Sequence, residues 1–207
     1  MPREARSDTR ERILDVAMEV LGSNPGAGMG EVATAAGVVR RTVYGYFPSR
    51  SDLVLALTER AVSEIAAVLA GSAADHEAAD AAWVDFIARL WPLVRRYRVL
   101  VVLRRGEFGE DIHALLGPVE GALTDLVQRG QDAGSFAHHL PADVLSRVAW
   151  SAVFAIADND LSSGTLDVTA PTMTTLLMLG VPDARARALL GGLHGAVAEH
   201  RVGEADA

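Results

Sequence analysis

The chain has 207 residues, 19 basic and 27 acidic side chains, a formal net charge of −8 and no cysteine. Half of the residues are hydrophobic, which excludes a disordered or collagen-like chain and leaves one globular domain or two small ones. The absence of cysteine excludes thiol catalysis, CxxC redox chemistry and cysteine zinc sites. The charged N-terminus and the absence of a run of roughly 18 apolar residues predict a cytoplasmic protein with no membrane contact.

Charge is distributed unevenly along the chain. Residues 1–50 carry seven arginines and six acids, whereas the remainder carries 12 arginines and 21 acids. Within the first block, residues 37–50 contain three arginines and no acid. Because nucleic-acid binding requires local positive potential and not a basic average, this window is a candidate DNA-binding surface.

The hydrophobic pattern predicts an all-α protein. Apolar residues recur at three- and four-residue spacing, and almost no alternation with a period of two is present. Glycine, proline, aspartate and serine mark the connections, including a turn expected at 158–167. The predicted helices cover about 9–21, 29–36, 40–46, 50–70, 80–97, 99–105, 118–133, 141–157, 170–179 and 183–200.

Two short helices near the N-terminus form the most informative pattern. The segment EVATAAGVVRRTVYGYF places Gly37 between them, at a position where a helix-turn-helix needs a tight turn. In such a motif the second helix enters the major groove and the first supports it. The residues expected to pack inward are Val32, Ala33, Ala36, Val43 and Phe47.

The outward face of the second helix carries side chains suited to DNA. Arg40 and Arg41 lie at its N-terminal end and can each bind guanine through two hydrogen bonds. The hydroxyl groups of the threonine and tyrosines can bind phosphate oxygens. The predicted DNA-binding residues are Arg40, Arg41, Thr42, Tyr44, Gly45, Tyr46 and Arg50.

The segments TRERILDVAMEVL and EVATAAGVVRRTVYGYFPSRSDL, between Thr9 and Leu53, resemble the DNA-binding domain of the TetR family of bacterial transcriptional regulators. The resemblance implies a homodimer that binds double-stranded operator DNA, with a three-helix DNA-binding domain at 1–50. It also implies a larger helical domain at 51–207 that binds a small effector and forms the dimer. The expected function is that of a ligand-responsive repressor.

Weaker agreement continues in the second half of the chain. The segments LVQRGQDAGSFAHHLPADVL and LLMLGVPDARA resemble the approach to the first dimer helix of the family and the end of the second. An intramolecular core is an equally apolar destination for the side chains concerned. The candidate dimer residues are Trp150, Val153, Phe154, Leu176 and Leu177.

The sequence departs from the family pattern at the helix caps. Ala27 and Gly28 replace the usual cap of the first motif helix, and Val39 replaces that of the second. Each lost cap costs about 0.5 to 2 kcal/mol of stability. Gly45 replaces a larger residue that often contacts phosphate, and it either allows a closer approach to the bases or removes a contact. These changes bear on DNA affinity.

An effector site between helices should be mostly apolar with a few polar groups, although the same residues would also form a plain helical core. Its candidates are Trp83, Phe86, Trp91, Phe108, His113, Phe136 and Phe154. A second basic cluster surrounds the run VLVVL, and it could contact an acidic effector, couple to the DNA-binding domain, or form a solvated face. Its members are Arg95, Arg96, Arg98, Arg104 and Arg105.

Three other functions remain open from the sequence: an activator, a dimeric binding module that has lost operator binding, and a helical enzyme. The sequence contains no GxSxG, HExxH or P-loop motif, and we expect neither catalysis nor a cofactor nor a metal site.

Overall fold

A computed structural model describes residues 3–103, 106, 108–163 and 166–192, and these residues form helices and turns without a β-strand. The all-α class is therefore confirmed. The helices are α1 (Arg3–Ser23), α2 (Met29–Ala35), α3 (Arg40–Tyr46), α4 (Arg50–Asp75), α5 (Ala79–Arg96), α6 (Arg98–Leu103), α7 (Gly109–Asp132), α8 (Ala142–Ser163) and α9 (Thr169–Met178). Residues 183–192 are also helical, and the rest of the helix expected at 183–200 lies outside the described residues.

The chain divides into two compact units. Unit 1 comprises the described residues of Met1–Ser63 and Arg96–Leu116, and unit 2 those of Glu64–Arg95 and Gly117–Ala207. Unit 1 therefore contains α6 and the first turns of α7 in addition to α1, α2, α3 and the first half of α4. Within the described residues, no helix combines the length and apolarity needed to cross a membrane.

Helix α7 begins earlier than the sequence predicted. We expected its first residue at Pro118, because proline favours the first turn of a helix, but Pro118 lies inside α7. Glu110 and Asp111 occupy the first turn, where the positive end of the helix dipole stabilises acids. Pro118 has no amide N–H, so the carbonyl of Ala114, four residues earlier, loses its helical hydrogen bond. Because Ala114 and Pro118 are both exposed, water can bind that carbonyl instead.

Helix α8 continues through residues that the sequence analysis assigned to a turn. Asp158, Asn159 and Asp160 were expected to end the helix, which instead extends to Ser163. Aspartate and asparagine disfavour a helix by only about 0.7 kcal/mol each, so buried side chains just before them outweigh that preference. Phe154 and Ala157 are such residues.

The C-terminal end of α9 depends on a glycine in a left-handed conformation. Gly180 has φ +82°, and the amide of Val181 donates to the carbonyl of Leu176 at 3.0 Å. A Cβ atom on Gly180 would lie 2.3 Å from the Cβ of Ala137 in the α7–α8 turn. Both the backbone angle and the close approach therefore require glycine here.

We expect Gly180→Ala to lower the free energy of unfolding by about 2 to 4 kcal/mol, because it adds a steric clash to a left-handed alanine. Gly134→Ala is the matched control, since Gly134 has φ +73° but an added Cβ would meet nothing within 4 Å. Its cost should be about 1 to 2 kcal/mol. Urea unfolding followed by circular dichroism measures both, and equal losses would show that the contact with Ala137 contributes nothing.

Candidate functional site

Helices α2 and α3 form the predicted helix-turn-helix. Gly37 joins them at φ +65°, and the amide of Val38 donates to the carbonyl of Ala33 at 3.0 Å. An added Cβ on Gly37 would meet nothing within 4 Å, so the backbone angle alone favours glycine at this position. The core of the motif consists of Ile13, Leu14, Ala17, Val32, Ala33, Val43 and Phe47, each at most 2% exposed.

The two faces of α3 differ as the sequence suggested. Val43 is fully buried, and Phe47 at the end of the helix is 2% exposed, under the guanidinium group of Arg10 at 5.4 Å. On the other side, Arg40, Arg41, Tyr44 and Gly45 are exposed, whereas Thr42 and Tyr46 are half-buried. The structure thus brings six of the predicted DNA-binding residues together on one short helix.

The two arginines that begin α3 have different surroundings. A Cβ on Gly30 would lie 3.3 Å from Nε of Arg40, so one side of the Arg40 guanidinium lies against α2. Both Arg40 and Arg41 are exposed, and within the described residues neither forms an ion pair. Their positive charge is therefore available to an anion in solution.

Arg50 is placed differently from the other predicted DNA-binding residues. It begins α4 and is half-buried. Its Nε donates to the carbonyl oxygen of Ala27 at 3.2 Å, and its Nη2 donates to that of Pro25. Its guanidinium carbon lies 5.2 Å from the ring centroid of Phe108. Arg50 therefore contacts Pro25, Ala27 and Phe108, all within unit 1.

Neither helix of the motif has a side-chain N-cap, as the departures from the family pattern suggested. Gly28 is the N-cap of α2, where the Glu31 carboxylate accepts a hydrogen bond from the Gly28 amide at 2.8 Å. Val39 is the N-cap of α3 and is 65% exposed, beside Arg40. In the sequence Val39 stands out only as a lost cap, but an exposed apolar side chain at this position can also contact a thymine methyl group.

An aromatic cluster occupies the core of unit 2. The rings of Trp83 and Phe86 are 6.2 Å apart, those of Phe86 and Trp150 are 6.1 Å apart, and those of Trp150 and Phe154 meet edge to face at 4.8 Å. Trp83 donates its indole N–H to Oγ1 of Thr175 at 2.9 Å. Three of the predicted effector-site residues therefore share one cluster with Trp150, which we had assigned only to the dimer interface.

Two other indole groups in unit 2 are unsatisfied. Within the part of the chain that the structure describes, the N–H groups of Trp91 and Trp150 are buried and have no hydrogen-bond partner. Trp91 and Trp150 are each at most 5% exposed. Buried donors without partners are uncommon in folded proteins, and each one calls for a physical explanation.

The remaining effector-site candidates do not join this cluster. Phe136 lies in the α7–α8 turn, packed so closely on Gly130 that an added Cβ would lie 2.1 Å from its ring. Phe108 and His113 belong to unit 1, where the first is buried and the second exposed. Trp91 lies under the guanidinium group of Arg95, 6.0 Å from the ring centroid.

A groove of about 240 Å³ lies between α7 and α8 in unit 2. Its lining residues include Gly117, Gly121, Thr124, Ser146, Arg147 and Trp150. Trp150 lines the groove and also belongs to the aromatic cluster.

The candidate dimer residues are mostly buried within their own chain. Trp150, Val153 and Leu176 are at most 3% exposed and Phe154 is 9% exposed, whereas Leu177 is 46% exposed. The structure adds two exposed apolar residues that the sequence analysis missed, Val148 on α8 and Met178 on α9. Helices α8 and α9 pack against each other, so these three exposed residues belong to one helix pair.

Parts of the second basic cluster have partners in unit 1. Nη2 of Arg96 lies 3.8 Å from a carboxylate oxygen of Asp15 on α1. The guanidinium group of Arg98 lies against Gly22 of α1, where an added Cβ would be 3.6 Å from Nε. Arg95 belongs to unit 2, where it donates to the carbonyl of Leu166 at 2.6 Å. Arg104 and Arg105 lie outside the described residues.

An exposed cationic helix in a helix-turn-helix and a second, helical unit define the fold of the described residues. Residues 13–57 match the model of the tetR family of bacterial regulatory proteins. This match covers the helix-turn-helix and agrees with the resemblance seen in the sequence between Thr9 and Leu53.

One curated relative is the HTH-type transcriptional repressor LfrR of Mycolicibacterium smegmatis, which is 55% identical over 53 residues. The match covers 26% of this chain and 28% of that relative's length. The similarity in sequence is therefore concentrated in about a quarter of each protein.

Two solved structures are similar over most of the chain. The fatty acid degradation regulator FadR from Bacillus halodurans is 18% identical with a TM-score of 0.72, over 82% of this chain and 97% of its own. The TetR-like regulator LfrR from Mycobacterium smegmatis in complex with proflavine is 24% identical with a TM-score of 0.65, over 85% of this chain and 96% of its own. These similarities establish the fold.

Proposed function

We propose that the chain is a sequence-specific transcriptional repressor that binds operator DNA as a homodimer and releases it when a small effector binds in unit 2. The exposed cationic face of α3 carries the proposal, because it lies on a segment that matches a family of regulatory proteins. The proposal assigns DNA binding to 1–50, effector binding and dimerisation to 51–207, no catalytic step, and a place in the bacterial cytoplasm.

In the proposed complex, α3 lies in the major groove with its N-terminal end toward the bases. Arg40 and Arg41 bind guanine O6 and N7, and the exposed side chain of Val39 meets a thymine methyl group. The hydroxyl groups of Thr42, Tyr44 and Tyr46 bind phosphate oxygens and fix the register. Gly45 has open space around it, which permits a close approach of the helix backbone to the DNA.

The test is fluorescence anisotropy of the full chain with labelled duplex DNA from upstream of its own gene, at two salt concentrations. A scrambled duplex of the same composition is the control. Tight binding to the native duplex alone, with log affinity falling steeply against log salt, is the expected result. If selection from random duplexes also yields no preferred site, the chain is a TetR-like module without operator binding.

The effector site is proposed at the aromatic cluster of unit 2, entered from the groove between α7 and α8. Flat aromatic side chains provide stacking surface, and the N–H group of Trp150, which has no hydrogen-bond partner among the described residues, provides a donor. A ligand that satisfies this group offers a hydrogen-bond acceptor on a planar apolar body. The crystal structure of LfrR with proflavine, a fold relative, supports an effector of this shape.

Removing an indole N–H should cost stability only where that N–H has a partner. We expect Trp83→Phe to lower the free energy of unfolding by about 1 to 3 kcal/mol, because it leaves buried Thr175 without its donor. Trp150→Phe removes an N–H that has no partner among the described residues, and it should cost at least about 1 kcal/mol less. Urea unfolding of both variants measures the difference. Equal losses would mean that Trp150 has a partner in the free protein and is not available to an effector.

The dimer is proposed to form through the exposed apolar residues of α8 and α9. Val148 is 44%, Leu177 46% and Met178 38% exposed in the single chain. In the family, this helix pair forms a four-helix bundle across the dimer. These residues supply the apolar surface that such a bundle buries.

A further inference from the structure

Arg50 joins three segments that are far apart in sequence. It begins α4, its guanidinium group binds carbonyl oxygens of Pro25 and Ala27 in the α1–α2 turn, and it covers the ring of Phe108 between α6 and α7. Ala27 and Phe108 are 1% and 4% exposed. We name Arg50, Pro25, Ala27 and Phe108 together the Arg50 clasp.

Both ends of the clasp are hydrogen-bonded to the first turn of a helix. On α4, the Ser49 hydroxyl donates to the Asp52 carboxylate at 2.6 Å and accepts from the Asp52 amide at 3.1 Å, which fixes the first turn of the helix that carries Arg50. On α7, the carbonyl of Phe108 accepts from the amide of Ile112 at 3.0 Å. A shift of the first turn of α7 therefore moves the ring on which the guanidinium group rests.

We propose that Arg50 is a positioning residue, which ties the α6–α7 connection to the turn that precedes α2. The two carbonyl oxygens and the aromatic ring occupy the edge and one face of the guanidinium group, where a DNA phosphate would otherwise bind. The placement of α2 and α3 then depends on Phe108, a residue that contacts no DNA. This consequence for DNA rests on the proposed function.

The two roles for Arg50 make different predictions for salt dependence. A phosphate contact contributes about 0.9 to the slope of log affinity against log salt, so its loss flattens that slope. Loss of a positioning contact lowers affinity and leaves the slope unchanged. Phe108→Leu separates the two, because it breaks the clasp without altering any charge.

The experiment compares the full-length wild type with Arg50→Ala, Phe108→Leu and the double variant. We expect each single variant to lower Tm by about 2 to 8 °C, and the double variant to lower it no further than the larger single loss. Phe108→Leu should also accelerate amide exchange in residues 24–28 and weaken operator binding about fivefold or more at unchanged salt slope. Arg41→Ala is the control, since its exposed side chain lies outside the clasp and should leave Tm within about 2 °C.

Additive losses of Tm in the double variant would overturn the clasp, whatever the DNA results. A second result would also overturn the clasp: Arg50→Ala flattens the slope of log operator affinity against log salt, while Phe108→Leu binds operator DNA with wild-type affinity. Arg50 would then be a phosphate contact. If the wild type binds no duplex selectively, the proposed function fails. The clasp is then judged by Tm coupling and amide exchange alone.

Discussion

Replacing Arg40 and Arg41 together with alanine should lower operator affinity by at least about 30-fold, since a bidentate arginine–guanine pair contributes about 1 to 3 kcal/mol. Both side chains are exposed, so the fold should be retained. The preference for the native duplex over its scrambled control should fall with affinity, because these residues are proposed to read bases. Fluorescence anisotropy with both duplexes measures the two effects.

Arg187→Ala is the matched control for that variant. Arg187 is an exposed arginine of unit 2, and among the described residues its one ion pair is with Asp183 at 2.8 Å. Its loss removes one positive charge from the chain without changing α3. Its operator affinity should remain within about twofold of the wild type, since exposed ion pairs contribute little. If the double variant kept its preference for the native duplex, base reading by α3 would be disproved.

A glutamate in place of Val148 and of Leu177 should convert the proposed dimer into a monomer and with it abolish the proposed tight operator binding. Burying two unpaired carboxylates in each subunit would cost several kcal/mol, which exceeds what the surrounding apolar contacts can offset. Size-exclusion chromatography with light scattering should show the mass of a single 21.9 kDa chain. Operator affinity should fall to that of a single half-site.

Val102→Glu provides the matched control. Val102 is an exposed apolar residue on α6, 42% exposed against 44% for Val148, and it lies in unit 1. The same chemical change there should leave the dimer mass unaltered. A Val148→Glu/Leu177→Glu variant that remained dimeric would place the interface on another surface.

The sequence predicted the helix-turn-helix closely because its signals are local. Gly37 marks the turn, and apolar residues at helical spacing mark the inner face, so the predicted helix over 40–46 coincides with α3. Helix ends that depend on distant packing were predicted poorly. Pro118 suggested a beginning where α7 in fact continues, and Asp158 suggested an end where α8 continues, because contacts made elsewhere outweigh these weak local preferences.

The candidate sites show the same limit. Periodicity shows that an aromatic residue is buried but not against which partner, so Phe108 was grouped with Trp83 although they belong to different units. Hydrophobic periodicity also fails to distinguish a core residue from an interface residue. Val153, which is fully buried in its own chain, was therefore named as a dimer-interface candidate, whereas the exposed Val148 was not. The contacts of Arg50 with carbonyl groups more than 20 residues away leave no signal in the sequence.

The composition of unit 1 has a consequence for building hybrid regulators. Val99, Leu103, Phe108 and Ile112 are buried, and they belong to the same compact unit as the helix-turn-helix. A helix-turn-helix fragment that ends at residue 50 or 63 lacks these buried residues of its own unit. Apolar surface that they cover in the full chain would then be exposed to water. A chimera designed to exchange operator specificity between similar regulators should therefore take residues 96–116 from the same parent as residues 1–63. The transferred part then consists of two separate sequence segments that form one compact unit.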